Sequence, residues 1–429
     1  MKKAFSAMLL GVFLLSTLGL WAAGSAESQE GPVELRVAWW GNPTRDERTL
    51  GVIDLYQEKN PGVTIEPETV GWGGYWDRIN TQVAGGNLPD VMQHDYAYLF
   101  QFVSRNQLAD MTPYVNNGTI NLSGVDESYL SGGRINGKLY GISLGTNAVA
   151  LVYDPAVLEK AGIAEPDPDW TMGDFEDLAR EIYAKTRVRT LPFFTTDPKV
   201  GFENWIRQTG KPLFAPDGSS LGFTDTKPLE EFFKIQVRLI EDGVMIPPEE
   251  SFVSLSPQEG FLARGGSWCD FMWSNQFIAF QDAANRPLKM TLVPGIEGAK
   301  RPGTYLKPSM FFAIPATSEK KDEAAKFINF FLTDPEANKI LLGERGVPII
   351  PTVREVVKSV VGSQMQIIFD YITLVGDGNA SPIDPPDPAA SGEFLKMFRD
   401  VTQEVLMGAI TPQAGAQKVM TSAGNILSR

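Results

Sequence analysis

Three corners early in the chain carry side chains suited to gripping a ligand. Trp40, Asn42 and Arg45 follow a first apolar run, Trp72 follows a second, and Asp95 and Tyr96 follow a third. Much later, Trp273-Ser274-Asn275 repeats the combination of an aromatic with an amide at the point where a strand gives way to a helix. Indole and phenol rings lie against flat C–H faces, while planar amide, carboxylate and guanidinium groups form paired hydrogen bonds with neighbouring hydroxyls. A polyhydroxylated molecule with one apolar face, such as a sugar, fits that set. Each residue has a structural alternative. Trp39 and Trp40 must point to opposite faces of a strand, so only one can reach a ligand. Trp76 shares a helical face with Ile79 and Val83 and is expected in the core, whereas Trp72 sits among glycines in what reads as a loop. Asp95 could cap the helix through Leu99 and Phe102, and His94 beside it is expected to pack or bond locally rather than act as a base.

The elements that hold these corners follow from periodicity. Val33 to Trp40 alternates as a strand, Gly41-Asn42-Pro43 breaks it, and Thr44 with Glu47 has capping-box spacing for a helix that Asn60-Pro61-Gly62 stops. Val63 to Val70 reads as a second strand, Trp76, Ile79 and Val83 as a second helix ended by Gly85-Gly86, and Leu88 to Met92 as a short third strand. Strand, helix, strand, helix, strand implies right-handed crossovers and a parallel sheet, whose ligands bind at the carboxyl edge of the strands. All three early corners fall on that edge.

Composition narrows the function classes. The 429 residues, enough for about two or three domains, include 38 Lys plus Arg against 52 Asp plus Glu, a net charge of -14, and 43% are hydrophobic. This balance opposes nucleic acid or an anionic membrane as the main partner, because both require a concentrated positive field. One cysteine, Cys269, excludes an internal disulfide and multi-cysteine zinc sites, and one histidine, His94, excludes imidazole clusters. No metal or cofactor is called for. Lys2 and Lys3, the apolar stretch Ala4 to Leu20 and Gly24-Ser25-Ala26 have the layout of a secretory signal, with cleavage expected after Ala26. A lipid anchor would need a cysteine just after that stretch, so a soluble exported chain is expected.

Further on, Ile142 to Tyr153 holds two apolar runs interrupted at Gly145-Thr146-Asn147. Asp154-Pro155, Thr171 to Asp174 and Ser256-Pro257-Gln258-Glu259 read as helix starts, the last running to Gly265-Gly266. Ser267 to Trp273 and Met310 to Ile314 read as strands, and Pro382 to Pro388 as an extended surface connector. The amphipathic segment Phe394 to Leu427 has a break near Thr411-Pro412. No internal repeat is visible. Periodicity gives an α/β protein of two lobes.

Several stretches resemble a known family. Residues 35–42 (LRVAWWGN), 60–63 (NPGV), 84–91 (AGGNLPDV), 136–143 (NGKLYGIS), 152–155 (VYDP) and 323–328 (EAAKFI) resemble, in order, the extracellular solute-binding protein family 1. This is the sugar-binding component of bacterial ABC importers, similar in plan to maltose-binding protein. The resemblance implies the two-lobe periplasmic-binding-protein fold, each lobe a mainly parallel sheet flanked by helices, with crossing hinge segments and ligand held between lobes. By position, residues 27–128 would form the first part of lobe 1 and 129–307 the first part of lobe 2. Residues 308–352 would return to lobe 1, and 353–429 would complete lobe 2. Trp40, Asn42 and Arg45 would match the first cleft loop, Asp95 and Tyr96 the third, Asn147 a position facing the cleft, and Trp273 with Asn275 the opposing aromatic wall. The implied function is capture of a sugar, an oligosaccharide in particular, by hinge closure and delivery to membrane permease subunits, with a monomeric protein and no catalytic step. The alternatives are a secreted glycoside hydrolase, which needs two carboxylates flanking the scissile bond, and a receptor for a polyol, uronate, glycerophosphodiester or other non-sugar solute.

Overall fold

The computed structural model describes residues 32–193, 199–252 and 258–428. The leader through Ala26, and Ser256 and Pro257 of the expected helix start, lie outside them. Residues 258–265 are a succession of turns and not the helix expected there.

Ten strands are present among the described residues: β1 (Val33–Trp40), β2 (Val63–Val70), β3 (Val91–His94), β4 (Arg134–Ile135), β5 (Lys138–Leu139), β6 (Ile142–Asn147), β7 (Val149–Tyr153), β8 (Cys269–Trp273), β9 (Lys289–Thr291) and β10 (Lys307–Ala313). The first sheet has the order β2-β1-β3-β10-β6. β1 runs parallel to both β2 and β3, so helices α1 (Pro43–Lys59) and α2 (Trp72–Ala84) are crossovers, while β10 is antiparallel to β3 and β6. Val37 to Trp40 are all buried, as a central strand covered on both faces requires. Trp39 and Trp40 do point opposite ways: the Trp39 indole donates to Asp46 at 2.8 Å, whereas Trp40 packs against Tyr75.

Local details depart from the sequence reading. α1 is capped by Asn42, whose side chain accepts from the Arg45 amide with Pro43 at the first helical position, so the start precedes the Thr44 capping box. Proline there fixes the helical φ and lacks only an amide that would have no partner. α2 already begins at Trp72, which makes the glycine stretch a first helical turn and not a loop. β3 extends to His94 because its backbone pairs with Phe311 and Phe312 of β10, a partner the local pattern does not reveal.

β6 and β7 form nearly one strand broken only at Ala148, and they carry the chain from the first sheet into the second, ordered β8-β7-β9. Within β7 the side chains alternate between two cores. Ala150 and Val152 join one, and Val149, Leu151 and Tyr153 the other, as a period of two demands when both faces are covered. Both neighbours of β7 are antiparallel to it, which departs from the mainly parallel sheet expected for the second lobe. A strand that enters straight through a crossing runs against the lobe's own strands. Parallel pairing persists beyond β8 as single bridges, Arg189 to Ser267 and Thr190 to Met245. Gly145 lies where the crossing meets residues 345–346, and a Cβ there would stand 2.3 Å from the Arg345 carbonyl oxygen.

The crossings differ from the expected boundaries. β6 still belongs to the first sheet, so the chain reaches the second only at Val149, later than Tyr129. The helix Pro351–Lys358 packs on Pro335–Leu341, whereas the next helix, Ser363–Gly376, packs on Phe277–Ala284 and β9. The second departure thus falls between residues 358 and 363 and not at Thr352. The final helices, Ser391–Leu406 and Pro412–Leu427, pair with each other and with Lys227–Glu241. Among the described residues no helix is long and apolar enough to cross a membrane.

Candidate functional site

A cleft of about 900 Å³ opens where the two sheets face each other. Arg45, Asp95, Tyr96, Asn147, Trp273 and Asn275 line it. Their placement follows from the strands. Asp95 leaves β3 and caps α3 (Tyr96–Ser104) by accepting from the Ala97 amide at 2.8 Å; Asn147 ends β6; Trp273 ends β8 and Asn275 opens the turn after it. Trp273 makes an aromatic corner with Tyr305, the ring centres 6.0 Å apart at 71°. Burial raises the Asp95 pKa above the usual carboxylate value, partly offset by the Ala97 amide and by Lys307.

Trp40, Asn42 and Trp72 do not line the cleft. Trp40 is buried against Tyr75 and Trp76, and its carbonyl accepts from Gln93 and Arg45. Asn42 spends its side chain on the α1 cap. Trp72 is 48% exposed and touches Trp40 edge-on from the first turn of α2. Helix α2 is laid over the strand ends on that side, so the aromatics there pack with one another. Trp76 accordingly belongs with the packed group, against His94, Tyr98 and Phe102.

The cleft also gathers residues that the sequence reading did not single out: Lys199, Glu203, Tyr305, Lys307, Glu344, Arg345, Asp384 and Asp387. Asp384 and Asp387 belong to the Pro382 to Pro388 segment, which is a strap along the cleft and not a mere surface connector. The Asp384 carboxylate meets the fully buried Arg207 at 2.5 Å and Arg301 at 3.2 Å, and its carbonyl accepts from the Tyr96 hydroxyl at 2.5 Å. Arg207 also donates to the Gly303 carbonyl and the Ser381 hydroxyl, and its guanidinium lies 4.6 Å from the centre of the Tyr305 ring. Asp387 pairs with Lys199 at 2.6 Å. Glu203, buried beneath them, accepts from the Tyr305 hydroxyl at 3.1 Å, and burial raises its pKa. Proline-rich spacing with two aspartates was the one signal in sequence; its arginine partners lie too far along the chain to be inferred.

His94 has a packing role. It is fully buried between Trp76 and Phe102, its Nδ1 lies 3.0 Å from the Asp95 carbonyl, and Nε2 has no partner. Burial lowers its pKa from 6.5 to about 4. The unfolded chain therefore binds this proton more readily, and stability falls as pH drops from 6.5 to about 4, by about 3 kcal/mol in all. Thermal unfolding of His94→Leu across this range is expected to lack that component, and an unchanged pH profile would contradict the assignment.

Among the described residues no cluster of three or more His, Cys, Asp or Glu is placed to hold a metal ion. What the geometry offers is a hollow between two lobes, walled by rings and planar polar groups. A family 1 extracellular solute-binding protein from Alicyclobacillus acidocaldarius superposes with a TM-score of 0.86 at 29% identity, covering 93% of this chain and all of that one. The arabinooligosaccharide-binding protein of Bacillus subtilis is 24% identical over 80% of this chain and 79% of its own length. The lactose-binding protein of Rhizobium radiobacter is 25% identical over 68% and 69%. Residues 51–366 match the bacterial extracellular solute-binding protein family, and the chain belongs to it.

Proposed function

We propose that this protein is the exported receptor of an ABC importer, that it captures a sugar, specifically an oligosaccharide, between its lobes, and that it hands it to the membrane permease subunits. The observation that carries this reading is the Trp273–Tyr305 corner, with Asn147 and Asn275 on the same cleft and Asp95 and Tyr96 from the other lobe. A ring of the ligand rests on the aromatic wall while the amides and the carboxylate take its hydroxyls. The names of the two sugar-binding relatives agree with that chemistry.

Capture works by differential contact. Asp95 and Tyr96 hang from the first sheet, Trp273 and Asn275 from the second, and Asn147 stands at the crossing between them. Ligand held by one lobe favours closure only through the additional bonds made to the other. Hydrolysis fits less well. A hydrolase keeps two carboxyl groups available on either side of a scissile bond, whereas here Glu344 is engaged by Arg45, Asp384 by Arg207 and Asp387 by Lys199.

Thermal-shift screening across neutral oligosaccharides, uronates, polyols and polyamines tests the reading. A ligand at 100 times its dissociation constant is expected to add about 2.7 kcal/mol of stability. Stabilisation by polyamines alone, or release of shorter sugars from the stabilising one, would displace it.

A further inference from the structure

Among the described residues four cationic side chains line the cleft, and three are committed to protein partners. Arg45 pairs with Glu344 at 2.9 Å, and Lys199 with Asp387 at 2.6 Å. Arg345 donates to Gln93 and Thr49 and lies 3.7 Å from Glu344. Lys307 is different. Among the described residues it makes no ion pair, and its ammonium lies over the Trp273 ring, 4.8 Å from the centre. Its position is set by the crossing itself, because Lys307 opens β10 directly opposite Asn147 on β6. Paired residues of an antiparallel ladder project to the same side, so the cation and the amide stand together in the cleft lining.

An unpaired ammonium resting on an indole face has a consequence for the ligand. A sugar ring that stacks on that face pushes the ammonium aside and ends its contact with the ring. A neutral hydroxyl offers the ammonium only a dipole, whereas a carboxylate offers an opposite full charge at the same hydrogen-bond distance, and the Coulomb attraction between them is the larger in a partly desolvated cleft. Asp95 is the counter-argument to be met, since among the described residues it is the cleft carboxylate without an ion pair and it attracts Lys307. It already accepts from the Ala97 amide and is half-buried at the start of α3, which leaves it suited to one ligand hydroxyl. The acidic group then belongs on the Trp273 side of Lys307.

Resting on the receptor reading above, we propose that Lys307 is the specificity-determining residue of the cleft and that the ligand is an acidic saccharide, whose uronate carboxylate takes the Lys307 ammonium while its ring takes the Trp273 face.

The test is calorimetry on matched pairs of uronate and neutral saccharides of equal length and linkage, galacturonate with galactose and glucuronate with glucose. The proteins are wild type, Lys307→Gln and Lys307→Arg, each checked for unchanged thermal unfolding. The wild type is expected to bind the acidic member at least about tenfold more tightly, with the preference shrinking as salt rises. Lys307→Gln is expected to lose the preference while still binding the neutral member, and Lys307→Arg to keep it. Equal or tighter neutral binding by the wild type overturns the proposal and leaves the sugar receptor standing. So does a preference that survives Lys307→Gln, or a sugar phosphate that outcompetes every uronate. Failure of every saccharide to bind the wild type overturns the receptor reading itself.

Discussion

Replacing Trp273 with Ala is expected to weaken sugar binding by about 1–3 kcal/mol, a loss of roughly five- to 150-fold in affinity, while the fold persists. The indole is half-buried, ends β8, and meets both the Tyr305 ring and the Lys307 ammonium. Its removal takes from the cleft the larger ring of the Trp273–Tyr305 corner. Calorimetry with whichever saccharide gives the largest thermal shift measures the effect. Wild-type affinity in the variant would place the sugar elsewhere. A large fall in unfolding temperature would instead assign Trp273 to the second core, against which it partly packs.

The largest expected loss of stability comes from Arg207→Met, about 3–5 kcal/mol in chemical denaturation. Arg207 is completely buried and serves four partners: the Asp384 carboxylate, the Gly303 carbonyl, the Ser381 hydroxyl and the Pro382 carbonyl. Deleting it strips those acceptors of their donor and leaves Asp384 to Arg301 alone. A second variant separates charge from packing, since adding Asp384→Asn to Arg207→Met removes the stranded carboxylate and is expected to recover part of the loss. The strap also carries the Tyr96 contact across the cleft, so weaker sugar binding is expected to accompany the instability. A loss of less than about 1 kcal/mol would mean that the strap is held by its prolines and not by this buried charge.

The contrast between Trp40 and Trp273 shows where sequence stops being informative. Each is an aromatic at a strand end with an asparagine two residues on. The local pattern is the same, yet one is packed under α2 and the other lines the cleft. Nothing within a few residues of Trp40 separates the two cases, because Tyr75 and Trp76 arrive from the next helix. The cleft-lining residues carried at strand ends were legible for a simple reason: Asp95, Asn147 and Asn275 sit where a strand must stop, and a stop is encoded locally. Lys199, Glu203, Lys307 and the strap aspartates were not legible as cleft residues, since each depends on a partner from a distant element.

By itself, the sequence determined the strand-helix-strand-helix-strand succession at the start of the chain and the break between its last two helices. β1 and β2 fall on the residues that alternation and Asn60-Pro61-Gly62 mark out, and Thr411-Pro412 separates the last two helices. Strand period, proline and caps act over a few residues, so they survive without any knowledge of the fold. Tertiary structure alone decided that β6 runs on into β7 as a crossing, that the second sheet pairs antiparallel, that the proline-rich segment is tied down by a buried arginine, and that Lys307, without an ion pair among the described residues, stands over the Trp273 ring. Whether a side chain is covered, paired or left facing a hollow depends on what another part of the chain lays against it.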